Sequence, residues 1–334
     1  MPLPLIIPAM IGLGYGIKKG IDAKEDFDKA EEYNELAQDI YNKAQKKLEK
    51  KREKTNTTLE DLGRLKVTLY DGSLADFVDI FSEIKNIDFE DKNITDNILK
   101  DIGKQDILDI KDTVLKMEEV LGGGIAALGG GALAGFGALG GVGMFATAST
   151  GTAISTLGGA AATNATLAWL GGGSLAAGGF GMAGGMAVLG GIVAGPVLAV
   201  GGAMMASKAE EAKYKAYENF DKAKVASAEM DSACVVLDGI YKRGIEFINI
   251  LEVLQNDLDD YIDKLENIVE YSTDYRSYTD KDKQVVMITA SIAKSVKNIC
   301  DAPIIDSNGK VTRKSRRVLN KAKELNTKLN DIKI

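Results

Sequence analysis

Residues 120–207 read VLGGGIAALGGGALAGFGALGGVGMFATASTGTAISTLGGAAATNATLAWLGGGSLAAGGFGMAGGMAVLGGIVAGPVLAVGGAMMAS, without one Asp, Glu, Lys or Arg. Glu119 is the last charge before the run and Lys208 the first after it. The 88 residues hold 27 of the chain's 37 glycines. A water-soluble helix needs a polar face, and this stretch supplies almost none. An uncharged apolar run beyond about 18 residues already suggests a membrane span. This one has room for two to four.

Polar side chains cluster in its middle: Thr147, Ser149, Thr150, Thr152, Ser155, Thr156, Thr163, Asn164 and Thr166. The arms on either side, 120–146 and 167–206, hold few. The pattern predicts a hairpin with a moderately polar tip. As a helix the first arm would be ~40 Å long at 1.5 Å per residue. The hydrocarbon core is about 30 Å thick, so that arm spans with tilt. The second is long enough to span and bend, at Pro196 or at Gly171-Gly172-Gly173. The membrane-inserting positions predicted here are Leu121, Leu128, Leu133, Phe136, Leu139, Met144, Phe145, Leu167, Trp169, Leu170, Leu175, Phe180, Met186, Leu189, Ile192, Val193 and Leu198. Trp169 reads either as an interfacial anchor or as simple packing.

Each interior glycine costs a helix about 1 kcal/mol relative to alanine in water. In lipid an unpaired backbone group is so costly that helix is enforced, and small residues then let helices approach closely. A segment with both properties is expected to be soluble in one state and inserted in another.

The glycine motifs inside the run carry no nucleotide site. Gly135-x-Gly137-x-x-Gly140 and Gly179-x-Gly181-x-x-Gly184 match the dinucleotide fingerprint, but about two or three such matches arise by chance at this glycine density, and neither follows a β-branched strand. GxxxG pairs such as Gly131/Gly135 and Gly191/Gly195 are fewer than chance supplies, so only small-residue packing in general enters the argument. Gly12, Gly16 and Gly20 form a more pointed tandem repeat in a glycine-poor setting, which also reads as a flexible tail. The stretch 202–208 lacks the Gly-Lys-Ser/Thr end of a phosphate-binding loop.

The flanks are helical. Residues 22–70 carry Ala23, Phe27, Ala30, Ala37, Tyr41, Ala44, Leu48, Leu62, Leu65 and Leu69 mostly at steps of 3, 4 or 7, with the stripe weakening from Lys51 to Thr58. A shorter helix covers 73–86, with Ser73 as expected N-cap, and another 104–121. Residues 207–271 hold Met230, Cys234, Leu237, Tyr241, Ile248, Leu251, Leu258, Ile262, Leu265 and Val269 in a coiled-coil spacing. The two long helices pair within one chain or between protomers. A polar loop at 272–283 precedes helices near 284–300 and 312–330, separated by Pro303 and the turn Ser307-Asn308-Gly309.

Composition narrows the function. There is no histidine, which removes Ser-His-Asp and Cys-His catalysis and any histidine metal site. Cys234 and Cys300 fall on apolar helical positions and read as buried thiols. Acidic pairs such as Asp259-Asp260 and Glu118-Glu119 read as solvated helix faces. The expectation is no enzyme, no cofactor, no metal and no small-molecule substrate. Net charge −7 argues against general nucleic-acid binding. Residues 308–334 are locally basic, nine basic residues against two acidic. That tail docks on the acidic body or, through Arg313, Lys314, Arg316 and Arg317, contacts anionic headgroups. The N-terminus is apolar from Pro2 to Ile17, with Lys18 and Lys19 after it, an order that fits a secretory signal poorly and an apolar anchor better.

The block ATASTGTAISTLGGAAATNATLAWLGGGSLAAGGFGMAGG (146–185), with the entry YGIKKGIDA (15–23), resembles one found in poorly characterised bacterial glycine-rich helical membrane proteins. The overall plan is similar to α-helical pore-forming toxins, in which long helices flank a hydrophobic head. These resemblances imply membrane insertion and bacterial origin.

The sequence therefore predicts an all-α fold, an elongated coiled-coil bundle with a glycine-rich hydrophobic helical hairpin making two or four membrane spans. Its expected segments are 1–21, apolar; 22–119, helical; 120–207, inserting; 208–271, coiled coil; and 272–334, C-terminal helices with a basic tail. The expected partners are a lipid bilayer and other copies of the chain, in a homo-oligomer that permeabilises. The expected location is the bacterial cell membrane, with a soluble cytoplasmic form beside it. A membrane-anchored scaffold or signalling adaptor is the alternative, and a soluble bundle with the arms buried inside it is the third reading.

Overall fold

The computed structural model describes residues 17–89, 102–121, 130–139, 209–306 and 309–331. Within them lie seven α-helices: α1 (Ile17–Asp71), α2 (Ser73–Glu83), α3 (Lys104–Leu121), α4 (Gly130–Leu139), α5 (Ala209–Tyr271), α6 (Asp280–Asp301) and α7 (Arg313–Asp331). Two isolated bridges, Lys85 with Asp274 and Ile305 with Val311, are the only β pairing among the described residues. The all-α expectation holds. No helix among the described residues is long and apolar enough to cross a membrane. In the first arm, α4 has ten residues, about 15 Å at 1.5 Å per residue, half a hydrocarbon thickness.

The chain divides into two compact units that cut across the expected segments. One comprises residues 1–53 and 189–237, the other 54–188 and 238–334. The boundary falls inside α1 and α5 because each is long enough to serve two cores.

In the first unit α1 and α5 pair with each other. Ala44 and Leu48 pack with Ala226, Met230, Ala233, Cys234 and Leu237, with Tyr41 against the cluster. Lys213 pairs with Asp26 at 2.8 Å, Asn219 Nδ2 donates to Asn34 at 3.2 Å, and Lys47 pairs with Asp231 at 2.7 Å. These contacts join residues 187, 185 and 184 positions apart, so the two helices run parallel in steady register. Tyr33 stacks edge-on against Tyr217 and Phe220. The observed seam of α1 is Ala30, Ala37, Ala44 and Leu48; Phe27, assigned to it by spacing, is 46% exposed. Alanine lets the α1 backbone lie close to its partner, and Phe27 falls one helical step off that line.

In the second unit α1 continues beside α5, with Lys54 over the Tyr241 ring at 3.9 Å. The weak part of the stripe is polar but not exposed: Thr55 and Thr58 are buried. The Thr58 methyl would lie 2.9 Å from a Cβ on Gly244, and its hydroxyl donates to its own helix at the Lys54 carbonyl. α6 is the central element. Val285 through Ala293 are all buried, so its apolar surface wraps round instead of forming a stripe. Its buried hydroxyls are satisfied internally, Thr289 donating to the Val285 carbonyl and Ser291 to that of Met287. α2, α3 and α7 all pack on it, and Lys294 of α6 pairs with Asp106 of α3 at 3.1 Å.

Local signals explain the boundaries. Gly72, not Ser73, caps α2, without a side-chain bond; Ser73 is buried inside the first turn. The polar loop expected at 272–283 is shorter. It holds a 3-10 turn at Tyr275–Ser277, and α6 starts at Asp280 under a capping box of Thr279 and Asp282. Asp274 anchors the turn, accepting from Asn86 and Arg276, which hold its carboxyl well below the usual range. Pro303 ends α6, with Ala302 extended before it. Gly309 takes a φ of 72° in the expected turn.

Candidate functional site

α4 is the described helix within the uncharged run, and residues of the second unit hold it in place. Leu133, Ala134, Phe136 and Ala138 are 0–2% exposed. Leu133 and Phe136, expected to face lipid, face the interior of this unit.

The contact with α1 is built on two glycines. A Cβ on Gly63 would stand 1.8 Å from the carbonyl oxygen of Leu133. A Cβ on Gly137 would stand 1.9 Å from the carbonyl oxygen of Leu59. Any side chain at either position would push the backbones apart. This is small-residue packing of the kind foreseen for helix–helix contacts in lipid, found here inside a helical body. The partner glycine is on α1, outside the run.

The end of α4 presents carbonyls without intrahelical partners. Lys66 of α1, fully buried, donates through Nζ to the carbonyls of Gly137 at 3.1 Å and Phe136 at 3.4 Å. The backbone N–H of Ile304 donates to the Ala138 carbonyl at 2.7 Å. A charge-free segment has no carboxylate to offer a lysine, so the ammonium meets the negative end of the α4 dipole instead. Phe136 and Phe247 also lie 5.7 and 5.9 Å from the ammonium.

Burial shifts Lys66, Cys300 and Tyr70. The pKa of Lys66 is lowered to about 8, with Cys300 and Asp301 opposing the fall. The Cys300 thiol is pushed up to about 12, chiefly by burial. Burial also holds the Tyr70 hydroxyl well above its ordinary value. That hydroxyl donates to Asp301 at 2.8 Å, and Lys297 holds the other carboxylate oxygen at 2.6 Å. Lys66, with the Ile304 N–H, forms a clamp on the end of α4.

Leu121 and Leu139 are the last residues of α3 and α4. The other expected inserting residues, Leu128, Met144, Phe145, Leu167, Trp169, Leu170, Leu175, Phe180, Met186, Leu189, Ile192, Val193 and Leu198, lie outside the described residues. Arg313, Lys314, Arg316 and Arg317 are exposed on α7. Gly63, Lys66, Tyr70 and Asp301 were not foreseen. The available signal was Lys66 itself, which occupies the same buried face as Leu59, Leu62 and Tyr70 at helical spacing.

No known family matches the chain, and neither does any curated protein or solved structure.

Proposed function

We propose that this chain is a membrane-inserting helical protein of bacterial type that permeabilises a bilayer as an oligomer. The inserting part is residues 120–207, and the 88-residue absence of charge is the observation that carries the reading. The arms supply the lipid-facing residues named from the sequence. The reading assigns the chain no catalytic step and no cofactor, and locates it at the bacterial cell membrane.

The α4 clamp gives the reading a resting form. Leu133 and Phe136 are buried, packed on α1, when the segment is retained, and insertion requires the Gly63–Gly137 crossing and the Lys66 cap to part. Parting strips the buried Lys66 ammonium of its carbonyl acceptors, so departure of α4 has to be accompanied by solvation of that charge. The bilayer then replaces the protein as the apolar partner.

The same burial also favours a second reading, in which the segment stays inside its own bundle. Flotation of the purified protein with liposomes that carry an entrapped dye decides between them. Flotation with dye release supports insertion with permeabilisation. Flotation without release favours a tethered scaffold built on the α1–α5 pair. Protein that stays at the bottom of the gradient, monomeric and indifferent to vesicles, overturns the proposal.

A further inference from the structure

We propose that the exposed basic face at the start of α7 is a docking surface for anionic phospholipid headgroups, stationed beside the end of α4. The inference rests on the membrane reading above and names the lipid class that reading leaves open.

The juxtaposition is made by backbone hydrogen bonds between residues far apart in sequence. The Ala138 carbonyl, at the end of α4, accepts from the N–H of Ile304 at 2.7 Å. The Ile304 carbonyl in turn accepts from the N–H of Thr312 at 2.8 Å. Arg313, the first residue of α7, follows immediately. Two hydrogen bonds therefore separate the end of α4 from the start of the basic helix.

That helix is strongly two-faced. Ser315, Leu319, Ala322, Leu325 and Leu329 are buried. Arg313, Lys314, Arg316, Arg317 and Lys321 are exposed, and none of the five makes an ion pair among the described residues. The cations of α7 that do pair lie further along: Lys323 with Glu246 at 3.8 Å and Lys328 with Glu324 at 3.7 Å. The reading in which the whole tail is neutralised on the acidic body therefore covers only the second half of α7. Its first turn contains no acidic residue, although a helix start favours negative charge and disfavours cations. Folding alone gains nothing from four cations there, whereas an anionic surface does.

Headgroups fit better than nucleic acid because α4 beside this face belongs to a charge-free segment suited to hydrocarbon, which a bilayer offers and nucleic acid does not. Each basic residue near an anionic leaflet strengthens partitioning about fivefold.

The test uses the full chain and a variant with Arg313→Gln, Lys314→Gln, Arg316→Gln and Arg317→Gln. Both are floated with phosphatidylcholine vesicles and with vesicles that also contain phosphatidylserine, then washed in alkaline carbonate. Wild type should bind the anionic vesicles at least about a hundredfold more strongly, with the difference shrinking at high salt. The variant should bind both at the wild-type level for phosphatidylcholine and keep its helical circular dichroism. A wild type that floats equally with both, or a variant that keeps the preference, overturns the docking surface and leaves insertion standing. Anionic binding fully removed by carbonate keeps the docking surface and overturns insertion. A labelled DNA duplex that binds wild type more tightly than the anionic vesicles, and is lost in the variant, reassigns the face to nucleic acid.

Discussion

Gly63 and Gly137 are reciprocal: each lies against the carbonyl four residues before the other, Gly63 against Leu133 and Gly137 against Leu59. Neither carbonyl is a flexible side-chain end, so neither can swing aside. The closeness of α1 and α4 therefore depends on both residues lacking a Cβ.

Gly63→Ala and Gly137→Ala should each destabilise the second unit by about 3 kcal/mol, the upper range for forcing atoms into a packed contact. Differential scanning calorimetry checks the loss. If α4 is the retained form of an inserting segment, both variants should also release dye from liposomes faster than wild type. Slower or unchanged release with lowered stability would separate the packing role from the functional one.

Stability should rise with pH just above neutrality. Lys66 titrates at about 8 when folded against an ordinary 10.5, so the unfolded chain binds more protons between those values. The penalty of burying the ammonium is present below pH 8 and is relieved as pH climbs through it. Cys300 acts in the opposite sense: its thiol holds its proton to about 12 against an ordinary 9, so that contribution is lost as pH rises above 9. The expected result is a higher unfolding midpoint at about pH 9 than at about pH 7, flattening beyond. In Lys66→Met the rise should vanish.

Cys300 is 0% exposed and its thiolate is suppressed, so it should resist thiol reagents in the native protein. Adding liposomes should accelerate its labelling if α4 departs, since the same pocket holds Lys66 and Tyr70. Mass spectrometry distinguishes it from Cys234, which sits in the other unit and should not respond. Equal protection with and without lipid would count against departure.

Leu139→Asp and Leu189→Asp each place a charge in the uncharged run, at a cost of about 3 kcal/mol at the centre of a span. Both should abolish carbonate-resistant membrane association while leaving the far-ultraviolet helical signal of α1 and α5 intact. Activity that survives both substitutions would show that the run is not the working part.

The helices were legible because Leu, Ala, Lys and Glu at 3.6 spacing need nothing but local pattern, and α3 was read to its observed limits. The C-terminal break was equally legible, because Pro303 and Gly309 act through their own backbone restrictions. What pattern hid was the meaning of polar residues on a buried face. Thr55 and Thr58 looked like a gap in the stripe because a threonine against a glycine is invisible until both helices are placed. Lys66 gave no signal of its role because its acceptors are carbonyls seventy residues away in sequence. The basic tail was legible as composition, but its position beside Ala138 depends on a hydrogen bond through Ile304 that no periodicity encodes.

The parallel course of α1 and α5 sets how the uncharged run is tied down. Antiparallel partners could be joined by a short turn; parallel ones require a crossover, and residues 72–208 provide it. One foot of the run is fixed at Ala138 in the second unit, and the other meets α5 in the first, where Lys213 grips Asp26. Under the proposed insertion the run stays leashed to α1 and α5, so an odd number of crossings is closed to it while those two helices stay paired in water.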